Sequence, residues 1–343
     1  MDSRITCPLL LFVMVLFVAC KSEQQSDALS ASDNSYQLAS NWPALPNDLV
    51  LGNPTGLDLD SNQHLFVFRR ANRAWPVTGP MPDTPIAATT ILELDPQTGQ
   101  LLHSWGDSLF IMPHGLTIDR QNNVWVTDVG LHQVFKFSHE GKLLLSLGEA
   151  KKAGKDAGHF NKPTDVAIAP DGSFYVADGY GNSRIVKFSA EGKYLLEWGT
   201  KGKGDGQFNI PHALTLDDQG NVYVADRENS RIQVFDSNGN FLHSWADKSF
   251  GRICSITYNK VTHQLIAVDD ATSWFNMKHH GSDVILLDTT GKVLDRFGRS
   301  GNYAGPVCWY HDVAVDSTGR IFVGDILGNR LQQFYHTNFS HTN

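Results

Sequence analysis

One pattern recurs six times along the 343 residues, and it leaves few folds open. The copies read "PTGLDLDSNQHLFVFRR" from Pro54, "PHGLTIDRQNNVWVTDV" from Pro113, "PTDVAIAPDGSFYVADG" from Pro163, "PHALTLDDQGNVYVADR" from Pro211, "ICSITYNKVTHQLIAVDD" from Ile253 and "YHDVAVDSTGRIFVGDI" from Tyr310. Each alternates apolar with small or polar residues, breaks at a turn cluster such as Asp171-Gly172 or Gln219-Gly220, and resumes as a β-branched and aromatic run. That is the pattern of two paired strands. Several copies are followed by a third strand ("HQVFKF", "SRIVKF", "SRIQVF"), a glycine-containing turn and a fourth strand ("KLLLSLG", "KYLLEWG", "NFLHSW"). Four strands at a period of roughly 40 to 60 residues make a propeller blade. The sequence therefore predicts an all-β, six-bladed β-propeller over residues 36–336. The sixth copy is a strand short after Phe334, and "YQLASNW" from Tyr36 to Trp42 carries the missing pattern. An N-terminal strand is thus expected to close the ring and hide two sheet edges. A seven-bladed ring and a two-sheet sandwich are the competing architectures.

The chain is 41% apolar, enough for a large core. Its net charge is -8 and its lysines and arginines are scattered, which provides no electrostatic footprint for nucleic acid. Residues 1–20 read as an export signal: Arg4 precedes an apolar run from Leu9 to Ala19 that is too short to span a bilayer comfortably. The run ends in Phe17-Val18-Ala19-Cys20, similar to a bacterial lipoprotein box, although Phe17 stands where leucine is usual. Residues 21–35 are polar and suit a flexible tether. These features predict a protein exported to the bacterial periplasm or held at the outer membrane as a lipoprotein, touching membrane only through its anchor; a monomer is the expected state, though nothing in the sequence fixes it. An ordinary signal peptide, in which Cys20 has no meaning, is the other reading. Of the four cysteines only Cys254 and Cys308 fall in the folded part, where they either pair or stay buried.

Set in register on its second residue, each copy contributes one position: Thr55, His114, Thr164, His212, Cys254 and His311. Histidine occupies every second blade. In a six-bladed ring alternate blades lie about 120° apart around one axis, and this residue starts the innermost strand. Three imidazoles would then point into the channel at one height, as expected of a catalytic zinc with a fourth position for water or substrate. Chance register or strand capping is the bland alternative. Fourteen residues further on stand Arg69, Asp128, Asp178, Asp226 and Asp325, followed by Arg70 in blade 1 and Arg227 in blade 4. Those two blades face each other, so the two guanidiniums could clamp a substrate carboxylate at the channel mouth. The aspartates are expected to bond to blade turns. Tyr180 follows one residue later in blade 3 and without further information reads as a residue on the rim.

With that register in place, "PHGLTID" with "VWVTDVGLHQVFKF", "KPTDVA" with "ADGYGNSRIVKFS", "PHALTL" with "ADRENSRIQVF", and "HDVAVDSTGRIFVGD" resemble the catalytic core of peptidyl-α-hydroxyglycine α-amidating lyase, within the NHL-repeat class. The resemblance covers roughly Pro54 to Phe334. It implies a lyase that splits a peptidyl- or acyl-α-hydroxyglycine, a substrate with a terminal carboxylate, into a primary amide and glyoxylate. It also implies catalytic zinc on His114, His212 and His311, Tyr180 as general base, and Arg70 and Arg227 holding substrate charge. A structural calcium is implied on Asp312 and the backbone carbonyls of Leu57 and Leu116. There are departures: Trp309 replaces the family's methionine two residues before the third histidine, and Gly181 and Tyr223 replace half-cystines. Blade 5 is the least similar, and its "DDATSWFNMKHHGSDV" is expected to form a loop in which His279 and His280 are solvated. Two other functions compete: a non-catalytic NHL propeller binding protein or glycan at the cell envelope, and a lactonase-type propeller. The histidine set argues against the second.

Overall fold

A computed structural model describes residues 35–76, 78–270, 272–273, 278–279, 281–298 and 308–337. The expected signal, Cys20, nearly all of the tether, and His280 lie outside the described residues, as does the side chain of His279. Six four-stranded antiparallel sheets are present among the described residues, one per repeat. Blade 2 shows the plan, with strands Pro113–Ile118, Val124–Asp128, Gln133–Phe137 and Leu143–Leu147 in spatial order. The innermost strand of each blade packs beside that of the next, and the sixth returns to the first, so the ring closes.

Closure is made by the N-terminal strand, though it is shorter than expected. Tyr36–Leu38 pairs with Arg330–His336 as the outer strand of blade 6, in register Tyr36 to His336 and Leu38 to Phe334. Tyr36 also stacks on Phe297 of blade 5, with ring centroids 4.9 Å apart. In the blade 5 loop, Thr272–Ser273 pairs with Lys278–His279 to make a small hairpin.

Apolar burial is distributed around the ring. Phe66, Phe68, Phe110 and Phe137 fill the seam between blades 1 and 2, and Trp125, Phe174 and Phe188 the next. Tyr175, Val224 and Phe235 lie between blades 3 and 4, and further clusters occupy the remaining seams. Second strands such as Phe174–Asp178 and Val222–Asp226 are buried along their whole length, because both faces meet a neighbouring blade. The blades approach closely at the axis: a Cβ on Gly56 would lie 2.5 Å from the Leu116 backbone nitrogen. Cys254 and Cys308 are both buried and are not joined in a disulfide, which decides between the two expectations for them.

The closing strand carries a titratable group. Burial, then the nearby Asp295 carboxylate, pushes the Tyr36 phenol up to about 12. An unfolded tyrosine ionises near ~10, so this contribution to stability is complete below that pH and is lost as pH climbs towards 12. Tyr36→Phe keeps the ring stacking but has no proton to lose. Between pH ~9 and ~11.5 its melting temperature should fall less than that of wild type, as measured by circular dichroism.

Candidate functional site

The register positions begin the innermost strands, and most of them sit at β-bulges. The ladder slips between Pro54 and Gly56, Pro113 and Leu116, Pro211 and Ala213, Ile253 and Ser255, and Tyr310 and Asp312. A bulged residue leaves the regular alternation, so its side chain can turn towards the axis. His114, His212 and His311 do this, and their ring centroids are 4.7, 4.7 and 5.0 Å apart. One ring nitrogen from each lies within 4.8 Å of the others.

The other three register residues hold these rings. His114 Nδ1 is 2.7 Å from the carbonyl of Thr164, His212 Nδ1 is 2.6 Å from that of Cys254, and His311 Nδ1 is 2.9 Å from that of Thr55. Each imidazole donates from Nδ1 to the next blade, which fixes the tautomer and leaves the Nε2 lone pair facing the axis. Burial first, then neighbouring imidazoles and guanidiniums, keeps the rings neutral. His311 is pushed down to about 3, and His114 and His212 well below the usual histidine range. Three neutral, fixed nitrogen donors suit a borderline cation such as zinc.

The Tyr180 hydroxyl lies 3.2 Å from His114 Nε2 and 3.0 Å from His212 Nε2. Arg70 donates from Nε to the Pro113 carbonyl at 3.0 Å, next to His114, while its Nη2 has no hydrogen-bond partner among the described residues. The buried Nε of Arg227, across the ring, is likewise without one among them. Trp75 covers this group, with its ring 5.0 Å from the Arg70 guanidinium and 5.1 Å from the Tyr180 ring. Burial raises the phenol of Tyr180 while Arg227 and Arg70 pull it down. The registered aspartates serve the frame, as expected: Asp128 accepts four backbone N–H groups, and Asp178 and Asp226 bond Arg184 and Arg231. The constant offset of fourteen fails in blade 5, whose hairpin is one residue longer, and the equivalent there is Asp269.

At the opposite end of the channel, among the turns between first and second strands, lies a cavity of about 450 Å³ lined by Leu57, Leu116, Asp58, Asp165 and Asp312. Asp312 accepts the Leu57 N–H at 2.6 Å, Asp58 that of Ile118 at 2.8 Å, and Asp165 that of Leu214 at 2.9 Å. Backbone N–H and C=O groups on one strand edge repeat every second residue, so the carbonyls of Leu57 and Leu116 share the edge facing the axis. Burial pushes Asp58 up to about 6 and Asp312 up to about 7, and Asp165, further burdened by Asp312, well above the usual carboxylate range. Sequence reasoning missed Asp58, Asp165 and Trp75. Asp165 was available from the register, one residue past Thr164 as Asp312 is past His311, but Trp75 lies in a long insertion with no counterpart in other blades.

Residues 110–137, 160–188 and 208–235 match the NHL repeat family. Peptidyl-glycine alpha-amidating monooxygenase B of Xenopus laevis is 38% identical over 93% of the chain, but the chain spans only 38% of that protein's length. A Caenorhabditis elegans protein named "Probable peptidyl-alpha-hydroxyglycine alpha-amidating lyase" is 40% identical, with 82% of each chain covered. Among solved structures, streptogramin B lyase superposes with a TM-score of 0.56 over 88% of this chain and 98% of its own, at 12% identity, which is a likeness of fold. These relatives overturn the expectation of a bacterial periplasmic or outer-membrane lipoprotein. They come from Xenopus laevis and Caenorhabditis elegans, both eukaryotes. A short apolar run before a cysteine is common to export signals generally, so the apparent box could not tell bacterium from eukaryote.

The donor set makes a direct prediction. Chelator-treated wild type should melt higher when zinc is added, by the equivalent of about 2.7 kcal/mol at a hundredfold excess over Kd. His212→Ala, which removes one of the three axial ligands, should show a smaller zinc-induced shift than wild type in the same calorimetric scan.

Proposed function

The chain belongs to the peptidyl-α-hydroxyglycine α-amidating lyase family, and from that premise we propose that it is a metal-dependent lyase cleaving a peptidyl- or acyl-α-hydroxyglycine to a primary amide and glyoxylate. One observation carries the reading: three tautomer-locked imidazoles, a tyrosine hydroxyl bridging two of them, and two buried guanidinium N–H groups without partners among the described residues all meet at one channel mouth. An orphaned buried donor costs about 1–3 kcal/mol, and a substrate carboxylate would satisfy both at once. His114, His212 and His311 would hold zinc, which when bound supplies positive charge that favours an alkoxide over a hydroxyl.

The reaction needs one proton moved and one bond broken. Arg70 and Arg227 clamp the carboxylate with charge-assisted hydrogen bonds and so present the carbinol carbon towards Tyr180. Tyr180, in its tyrosinate form, which Arg70, Arg227 and a bound cation would favour against the effect of burial, takes the proton of the substrate hydroxyl. As the C=O of glyoxylate forms, the C–N pair leaves with the amide nitrogen, which takes that proton from Tyr180 and so restores the tyrosinate. Trp75 screens Arg70 and Tyr180 from water, strengthening both interactions. At the other end, Asp312 with the carbonyls of Leu57 and Leu116 would hold calcium, a cation that takes oxygen ligands. The half-buried Asp58 and Asp165 beside them in the same cavity support that assignment.

Wild type should release glyoxylate from α-hydroxyhippurate, and Tyr180→Phe should lower kcat by about 10²–10⁴. Equal rates for the two proteins would remove Tyr180 from the mechanism, and no glyoxylate from a zinc-loaded wild type would refute the substrate class. Calcium should raise the melting temperature of wild type and leave that of Asp312→Asn nearly unchanged.

A further inference from the structure

Away from the axis, where blades 1 and 2 meet on the face bearing the turns between first and second strands, a second set of metal-ligating side chains converges. Asp60 sits in the first turn of blade 1, Glu93 on that blade's third strand, Ile91–Leu94, and His139 in the last turn of blade 2. One ligand atom from each lies within 4.8 Å of the others. His139 Nε2 is 3.1 Å from Asp60 Oδ2. His64 stands beside them, its Nδ1 2.7 Å from Glu93 Oε1 and 3.8 Å from Asp60 Oδ2. We propose that Asp60, Glu93 and His139, joined by His64, form a second site for a divalent transition metal that ties blade 1 to blade 2.

Comparison around the ring carries the proposal. The position of Asp60 is aspartate in blades 2, 4 and 6 as well, and there each carboxylate accepts hydrogen bonds from side chains other than histidine. Asp119 accepts from the Trp125 indole and Lys136, Asp217 from Asn221 and the Tyr223 hydroxyl, and Asp316 from Arg320. Blade 1 has none of these. Asp60 and Glu93 are only 2% and 8% exposed, and among the described residues neither pairs with a lysine or arginine; their charged neighbours are histidines. Two buried carboxylates side by side need a cation, and here the surroundings offer imidazoles that could ligate one.

The spacing fits. Bonds of ~2.0–2.1 Å in a tetrahedron place ligand atoms about 3.3 Å apart; His139 to Asp60 at 3.1 Å is close to that value, and His64 lies 2.7 Å from Glu93 and 3.8 Å from Asp60. The ligands are also braced. Asp60 Oδ1 accepts the N–H groups of Asn62 and His64, which leaves Oδ2 free to ligate, and the His139 ring packs edge-on against Phe66 at 5.0 Å. Such outer contacts fix ligands before a metal arrives. A mixed imidazole and carboxylate set favours zinc, cobalt or nickel over calcium. The side chains of His64 and His139 are 32% and 26% exposed, so an ion has a path from solvent.

The test titrates chelator-treated full-length protein with Co²⁺, counting ions bound per chain and recording the d–d absorption of bound cobalt. Wild type should bind one ion more than the Glu93→Gln, His139→Ala double variant, and the difference spectrum should be that of a four-coordinate site. Any axial ion is present in both proteins and cancels. Near-ultraviolet circular dichroism checks that the variant is folded, and if it is not, His139→Ala alone, altering a partly exposed side chain, replaces it in the comparison. Equal ion counts for wild type and the folded variant would overturn the proposal.

Discussion

Everything at the centre of this protein depends on the hydrogen bond from a histidine Nδ1 to the carbonyl of the following blade. It is made three times, from His114 to Thr164, His212 to Cys254 and His311 to Thr55. Each bond joins two blades, sets one tautomer and aims one lone pair. The residues that are not histidine in the register are therefore as much a part of the site as those that are. Their backbone supplies the acceptors, which is why threonine and cysteine can stand there.

That arrangement is possible because hydrophobic burial has been moved off the axis. A sandwich or a small barrel fills its middle with apolar side chains, whereas here the apolar clusters occupy the seams between blades. The axis is left to groups that would be costly in an ordinary core: three imidazoles at one end and three carboxylates at the other. The carboxylates double as staples, since Asp58, Asp165 and Asp312 each accept an N–H from the next blade. Stability and site thus share the same atoms.

Most of the architecture was legible because a propeller repeats a local pattern. Blade number, the closing strand at Tyr36 and the alternation of histidines all follow from setting six segments in register. The inward aim of the histidines was only inferred, since the bulges that produce it leave no mark on hydrophobic periodicity. Where the repeat breaks, reading fails for definite reasons. One extra residue in the blade 5 hairpin hid Asp269, and the insertion after Arg70 hid Trp75. Tyr180 has no partner in the other copies, so its place beside two histidines could be suspected only through the family resemblance.

The pairing of Tyr36 with His336 also sets a timetable for the growing chain. Blades 1 to 5 are each continuous in sequence and can assemble from contacts between near neighbours as the ribosome delivers them. The sixth cannot be completed until the last strand has emerged and met a segment made some three hundred residues earlier. A contact of that separation carries a large loop-closure entropy and comes late. Until then blades 5 and 6 display an unpaired edge and apolar surface, the kind of exposure that invites chaperones or aggregation. Closing the ring is thus the most vulnerable step in building the propeller.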